Sequence, residues 1–331
     1  MARSPPRPDD PGGGALVKTL YGTTAVPADW PASAVCIGKF DGVHAGHRAV
    51  ITGLNALAAE HQLAAVVVTF DRHPLALLSP EHCPDALVSL EQKLDLLAET
   101  GVDATLVLGF DSQLAGLAPG EFVASILVHA LQARFVLVGR DFRFGAQGAG
   151  DVALLKRLGT KYGFEVRLID DVKPRQDRRV SSTWIRDLLG SGDVATATEM
   201  LDHLPTMRGL VVHGAARGRE LGFPTANLAP DSEGFTPADG VYAGWLTDAG
   251  TRYPAAISIG NNPTFEGVQR RQVEAYVLDE TDLDLYDHVV DVSFVRRIRG
   301  MVAYSGIEPL IEQIRDDVER VRAILELQQH A

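Results

Sequence analysis

The chain has 331 residues, 46% hydrophobic and 22% charged, and its 31 basic against 43 acidic side chains leave a formal net charge of −12. That composition is globular, the length gives a prior of two domains, and an acidic chain without a basic block is not built to coat nucleic acid. Two cysteines, Cys36 and Cys83, exclude a disulfide framework and a four-cysteine zinc site. No apolar run approaches the roughly 18 residues that a membrane helix needs. Residues 1–14 are rich in Pro and Gly without an apolar core, which reads as a disordered tail rather than a signal peptide. The expectation is a soluble, cytoplasmic protein with small-molecule partners and neither nucleic acid nor membrane.

From Ala34 to about Leu189, short β-branched runs alternate with amphipathic stretches. Strands are predicted at Ala34–Ile37, Ala65–Phe70, Thr105–Leu108, Phe135–Val138 and Phe164–Ile169, apolar enough to be buried on both faces. Helices are predicted at Ala49–His61, Leu90–Thr100, Glu121–Leu131 and Asp151–Tyr162. Five strands joined by four crossovers describe a doubly wound parallel α/β sheet, whose ligands bind beyond the carboxyl ends of the strands. After Leu201 the period changes. Leu210–His213, Val241–Leu246, Ala255–Ile259, Val273–Leu278 and Val289–Val295 read as strands, with Gly/Pro-rich turns between several of them. From Ile307 one apolar helical face runs to the end, so the second half is an antiparallel β-barrel or sandwich closed by a terminal helix. The expected domains are 15–201 and 206–331, with the boundary near Asp202–Met207.

The first chemical cluster lies where the first predicted strand ends. Gly38-Lys39-Phe40-Asp41-Gly42-Val43-His44-Ala45-Gly46-His47 leads from that strand into a helix. Its glycines permit sharp turns and close backbone approach, and the helix start offers free N–H groups and the positive end of a dipole to an anion. His44 and His47, three apart, both reach one phosphate in this reading. A structural pair of turn histidines and a metal pair, which needs a third ligand, stay open; the glycines and the strand-end position favour phosphate. The fourth strand ends in Gly139-Arg140-Asp141-Phe142-Arg143-Phe144-Gly145, polar donors beside an aromatic face. The fifth is followed by Ser181-Ser182-Thr183-Trp184-Ile185-Arg186. There Ser181 or Ser182 can cap a helix with Arg186 one turn inside. Beside a Gly-rich histidine loop, this run reads as a second clamp on a triphosphate.

The second cluster has no Gly-x4-Gly-Lys-Ser/Thr, which excludes a Walker-type ATPase. Gly214, Gly218 and Gly222 space a loop that also carries Arg217 and Arg219 and ends in Phe223-Pro224-Thr225-Ala226-Asn227. Thr225 and Asn227, two apart, face the same side of an extended segment, and hard neutral oxygens at that spacing suit Mg²⁺. A Gly-rich turn ending in an Asx-type bend is the alternative. Farther on come a polar turn at Asn261-Asn262-Pro263 and Glu274 inside a strand, sharing a face with Tyr276. A strand carboxylate is usually solvated; on an inner face it needs a partner or a task.

His-x-Gly-His after the first strand, with Ser-Ser-Thr-x-Ile-Arg after the fifth, resembles the nucleotidylyltransferase superfamily. The longer string from Gly38 to His47, with Thr69-Phe70-Asp71 and Asp141-Phe142-Arg143-Phe144-Gly145, resembles the adenylyltransferase half of prokaryotic bifunctional FAD synthetases. Gly222-Phe223-Pro224-Thr225-Ala226-Asn227, Gly240-Val241-Tyr242-Ala243-Gly244, Asn262-Pro263 and Val273-Glu274-Ala275 resemble riboflavin kinase, the other half of that family. The resemblance spans about Ala15 to Arg322. It implies riboflavin + ATP → FMN + ADP in the C-terminal half and FMN + ATP → FAD + pyrophosphate in the N-terminal half. It also implies roles. His44, His47, Ser181, Ser182, Thr183 and Arg186 hold phosphates, and Gly38, Phe40, Asp41 and Gly42 lie against the adenosine. Asp141 and Phe144 stand near the flavin. In the kinase half Gly214, Arg217, Gly218 and Gly222 cradle the nucleotide, and Thr225 and Asn227 bind Mg²⁺. Glu274 takes the proton of the ribityl hydroxyl, and Asn262 and Arg299 meet the flavin. Tyr276 and Met301 depart from the family pattern, which has His and an acidic residue there. One silent module, or a flavin sensor without catalysis, are the rival readings.

Overall fold

In the computed structural model, which describes residues 17–169, 179–214, 223–260, 271–280, 283–304 and 306–326, the first half builds one parallel sheet. Its strands are β1 (Lys18–Tyr21), β2 (Ser33–Ile37), β3 (Ala64–Phe70), β4 (Ala104–Leu108), β5 (Ala133–Gly139) and β6 (Glu165–Ile169), in the order β1-β4-β3-β2-β5-β6. All five pairings are parallel. Every residue of β2 and β4 is buried, as a strand covered on both faces requires. The order reverses at β2, which lies between β3 and β5. The loops after β2 and β5 therefore leave the sheet side by side, at the switch point where such sheets bind ligands.

The intervening helices are α1 (Ala45–His61), α2 (Leu75–Leu78), α3 (Leu90–Ala98), α4 (Ser112–Gly116), α5 (Pro119–Phe122) and α6 (Val152–Tyr162). Asp151 caps α6 by accepting the Leu154 N–H, and Gly163 ends it in the left-handed region at φ 83°. Two expectations are corrected. The sheet has six strands, not five: β1 is a four-residue edge strand with only Leu20 buried, too short to show a period. The helix expected over Glu121–Leu131 is α5 running into a π-helix, Val123–Ala130. Its wider turn still presents Phe122, Val123, Ile126 and Leu127 to the core.

The second half closes into an antiparallel barrel of β7 (Thr206–Val212), β8 (Thr225–Leu228), β9 (Gly240–Asp248), β10 (Thr251–Gly260), β11 (Gln272–Val277) and β12 (Val289–Arg299). The order around it is β10-β11-β8-β7-β12-β9. β8 escaped the sequence pattern because Thr-Ala-Asn-Leu has no β-branched apolar run. Before the barrel stand α7 (Ser182–Ser191) and α8 (Val194–Leu201), and α9 (Ile307–Glu326) follows it. On α9, Val318, Val321 and Leu325 pack against Ala243, Trp245 and Val295. Among the described residues no helix is long and apolar enough to cross a membrane.

The described residues separate into two compact units. One comprises the described residues up to Gly38 with Ile51–Asp71 and Leu97–Ile169. The other holds Lys39–Val50, Arg72–Leu96 and the described residues after Ile169. The histidine loop, α7 and α8 thus belong with the barrel. Ile185, Leu189, Val194, Ala197, Met200 and Leu201, none more than 2% exposed, share one core with Met207, Val211, Tyr242 and Phe294. A fully buried aliphatic side chain contributes about 1.5–3 kcal/mol. A fragment starting at Val180 should therefore resist urea better than one starting at Thr206, by more than about 3 kcal/mol. Equal unfolding midpoints for the two fragments would refute this packing role of α7 and α8.

Candidate functional site

Between β2 and α1 the chain takes an unusual path. Phe40 and Val43 adopt left-handed backbone, at φ 48° and 38°, on either side of Gly42 at φ 82°. Non-glycine residues rarely stay there unless packing over-determines them, and Phe40 is 2% and Val43 0% exposed. A side chain on Gly42 would be strained at that φ, and its Cβ would stand 2.8 Å from Leu87 Cδ1.

This loop stacks the two histidines. The rings of His44 and His47 lie 3.6 Å apart at 14°, with the Phe40 ring tilted against His47 at 5.1 Å. The His47 backbone N–H donates to His44 Nδ1 at 3.3 Å. A neutral His44 therefore keeps its proton on Nε2. Burial pushes its pKa down to about 4, with Arg179 and His203 adding to the effect. Burial first, then His44, Lys39, Arg179 and Lys93, hold His47 well below the ordinary histidine range. His73, whose Nε2 lies 3.2 Å from Lys39 Nζ, is likewise lowered to about 4, by burial and then Lys39, Arg186 and Lys93. Neutral imidazole donors among fixed cations suit a polyphosphate. Among the described residues no group of three or more His, Cys, Asp and Glu is gathered for a metal, so the metal-pair reading lacks its third ligand there.

Asp41 turns inward. Its carboxylate accepts Arg186 Nη2 and, at 2.9 Å, the Leu87 N–H, while its backbone oxygen accepts the Ser182 hydroxyl at 2.9 Å. Arg186 Nε donates to Asp85 O at 2.6 Å. Burial raises the Asp41 pKa, and Arg186 works against that rise. Ser181 is the N-cap of α7, accepting the Trp184 N–H at 3.2 Å, and Thr183 is exposed on the first turn. The structure thus joins Asp41, Ser182 and Arg186 of the expected nucleotide set into one network. Gly38 N–H is bound to Val68 O at the end of the sheet.

Of the residues expected near flavin, Asp141 folds back so that its Oδ1 lies 3.1 Å from the position of a Cβ on Gly139. Phe144 is 5% exposed and stacks on Phe142 inside the core of the sheet. Arg217, Gly218, Gly222 and Asn262 lie outside the described residues.

On the barrel, strand register assembles the second cluster. β8 and β11 pair Asn227 with Glu274 and Thr225 with Tyr276. Ala226, Leu228, Val273 and Ala275 turn into the core, leaving Thr225, Asn227 and Glu274 half-buried on the outer face. Thr225 Oγ1 lies 3.5 Å from Glu274 Oε2, and Asn227 Nδ2 donates to Thr225 O at 3.1 Å. A Cβ on Gly214 would stand 2.5 Å from the Asn227 amide, so a side chain there would displace that amide. Beside Thr225 opens a cleft of about 740 Å³ with an apolar floor of Val211, Val277, Leu283 and Leu285 and a rim of Glu280, Asp284 and Tyr286. Arg299 is committed to α9, its guanidinium forked onto the buried Asp317 at 2.6 and 3.0 Å. Tyr276 meets Phe223 edge-on, and Met301 is 51% exposed.

Sequence reasoning missed His73, Lys93, Arg179 and His203, which gather around the histidine loop from four separate segments. Only His73 carried a signal, standing just past the end of β3, the neighbour of β2.

The chain matches two family models, FAD synthetase over residues 26–184 and riboflavin kinase over 201–325. It is 36% identical over 303 residues to the bifunctional riboflavin kinase/FMN adenylyltransferase of Escherichia coli, covering 91% of this chain and 95% of that protein. The protein of the same name from Listeria monocytogenes is 34% identical, covering 93% and 98%, and that from Pseudomonas fluorescens 35%, covering 87% and 91%. Among solved structures, a Streptococcus pneumoniae crystal structure named as a macrolide-efflux protein is similar at TM-score 0.82 and 31% identity, covering 93% of this chain and 99% of that one.

The depressed histidine pKa has a consequence for stability. Folded His44 titrates near 4 against an ordinary 6.5, so the unfolded chain binds its proton first as pH falls. The stability from this group is full above about 6.5 and is lost as pH drops through 4. Acidification from pH 7 to 5 should lower the Tm of the wild type more than that of His44→Gln. Parallel Tm–pH curves for the two proteins would contradict the assignment.

Proposed function

The chain belongs to the bifunctional riboflavin kinase/FMN adenylyltransferase family, and from that premise we propose how its residues divide the work. The enzyme makes FMN from riboflavin and ATP, then FAD from FMN and ATP. The observation that carries the division is the Asn227–Glu274 register pair, which brings Thr225, Asn227 and Glu274 together.

In the kinase reaction Glu274 accepts the proton of the ribityl 5′-hydroxyl as that oxygen attacks the γ-phosphorus. Thr225 and Asn227 hold Mg²⁺; their hard neutral oxygens beside a carboxylate fit that ion. When bound, the ion neutralises charge on the phosphate oxygens. Gly214, with Arg217, Gly218 and Gly222, cradles the nucleotide, and Asn262 and Arg299 serve the flavin end, Arg299 by anchoring α9.

In the adenylyl transfer His44 donates from Nε2 and, with His47, stabilises charge on the phosphates as the FMN phosphate attacks the α-phosphorus. Lys39, Lys93 and Arg179 supply the positive field, and the N-terminus of α7 with Ser181, Ser182 and Thr183 adds backbone donors. Gly38, Phe40 and Gly42 line the adenosine side, with Asp141 at the flavin–nucleotide junction and Phe144 supporting it from within. Asp41 and Arg186 preorganise the loop. Two free cysteines fit a reducing cytoplasm.

Two substitutions test the division. His47→Ala should slow FAD formation from supplied FMN by roughly 10²–10³-fold, as for loss of one preorganised donor, and leave FMN formation near wild type; equal loss of both would indicate a folding role. Glu274→Gln keeps shape and hydrogen bonding but cannot accept the proton. It should bind riboflavin yet form FMN about 10²–10⁴-fold more slowly, while converting supplied FMN normally. Phosphorylation within a few-fold of wild type would remove Glu274 from the role of base.

A further inference from the structure

The turn Phe235–Asp239, just before β9, is bound to both clusters. The Phe235 N–H donates to Leu87 O at 3.2 Å. The N–H of the same Leu87 donates to the Asp41 carboxylate at 2.9 Å. The Ala238 N–H donates to Leu189 O, in the last turn of α7, at 2.9 Å. From the other side Arg271, three residues before Glu274, spreads its guanidinium over the turn. Nε donates to the Asp239 carboxylate at 2.6 Å, Nη1 to Thr236 O at 3.3 Å, and Nη2 to Pro237 O. Arg297 of β12 adds Nη2 to Asp239 O at 2.5 Å and Nη1 to Ser191 O at 3.4 Å. Its side chain threads between Gly192 and Gly240, where a Cβ would stand 2.7 and 2.8 Å from it.

The Arg271–Asp239 pair is 37% and 42% exposed, and as an ion pair it adds little stability. Its effect is geometric. A planar guanidinium shared by three acceptors fixes the turn relative to the start of β11. α7 is a short rigid rod of about 15 Å, gripped at its C-terminal end by this turn and at its N-terminal half by Asp41. A shift of the turn therefore moves Ser182 and Arg186 and, through Leu87, the carboxylate that holds the histidine loop.

We propose that the turn Phe235–Asp239 is a common anchor of the two active sites, with Arg271 and Asp239 as its positioning residues. The inference rests on the assignments of Glu274 and the His44–His47 loop above. Arg271 sets where β11 presents Glu274, and the turn sets α7 and Asp41. Side chains on the barrel thereby govern adenylyl transfer.

The test uses full-length Arg271→Gln, Asp239→Asn and the double variant, with the two reactions assayed separately and FMN supplied for the second. Each single variant should lower kcat of both reactions about 10-fold, less than the ~10² that a 1 Å misplacement costs, at unchanged KM for FMN. The double variant should be no worse than the worse single, because the two side chains make one contact. Amide exchange in α7 should accelerate in Arg271→Gln. Arg322→Gln, which breaks the exposed pair with Asp279, is the control and should leave both kcat values and α7 exchange at wild type. Wild-type FAD formation from supplied FMN in Arg271→Gln, or a loss matched by the folded fraction at the assay temperature, would overturn the anchor. Failure of the site assignments shows elsewhere, in His47→Ala or Glu274→Gln keeping its activity however Arg271→Gln behaves.

Discussion

Arg186 and the Leu87 amide share the carboxylate of Asp41, which burial has largely withdrawn from water. A lone buried carboxylate takes up a proton, and a buried guanidinium without a partner is costlier still. Together they hold each other in place. The left-handed backbone at Phe40 and Val43 costs on the order of 1–3 kcal/mol per residue. It persists because Asp41 is pinned on three sides while the Phe40 and Val43 side chains fill the core. The histidine pair, the capped start of α7 and the segment around Leu87 therefore form one construction, and the stacked rings are its outcome.

The barrel solves a different problem with a different device. There the positioning comes from strand register: Asn227 opposite Glu274, Thr225 two residues along, and Gly214 leaving room for the amide. Alternation sends Ala226 and Ala275 inward and the polar groups outward, so one hydrogen-bond ladder fixes core and site together. The two halves also cut ATP at different phosphorus atoms. Neutral nitrogen donors in a cationic field suit the departure of pyrophosphate, and hard oxygens beside a carboxylate suit transfer of the γ-phosphoryl group.

Much of this was legible in the chain. Buried strands announce themselves as β-branched runs, and the histidine loop and the Thr-x-Asn pair lie within a few residues of sequence, where spacing alone conveys geometry. What was not legible depends on distance along the chain. Lys93, Arg179, His73 and His203 come together only after folding, and no local pattern links them. Asp41 sits in the nucleotide motif, so sequence placed it against the adenosine, yet its partners are Arg186 and Leu87. The fork of Arg299 onto Asp317 and the packing of Phe144 on Gly150 and Phe122 likewise arise only on folding. β1 and β8 are four residues each and show no period, and α8 fell in the stretch where the two patterns meet.

The stacked histidines also bear on metal selectivity. An imidazole coordinates a transition metal through an unprotonated nitrogen, and in His44 that nitrogen is Nδ1, which faces the His47 amide. His47, nearly parallel at 3.6 Å, presents its nitrogens in a separate plane, so one ion cannot draw on both rings. Stacked in this way, the two imidazoles do not converge on a single point. The two rings thus stand as two separate hydrogen-bonding groups rather than as one chelating pair.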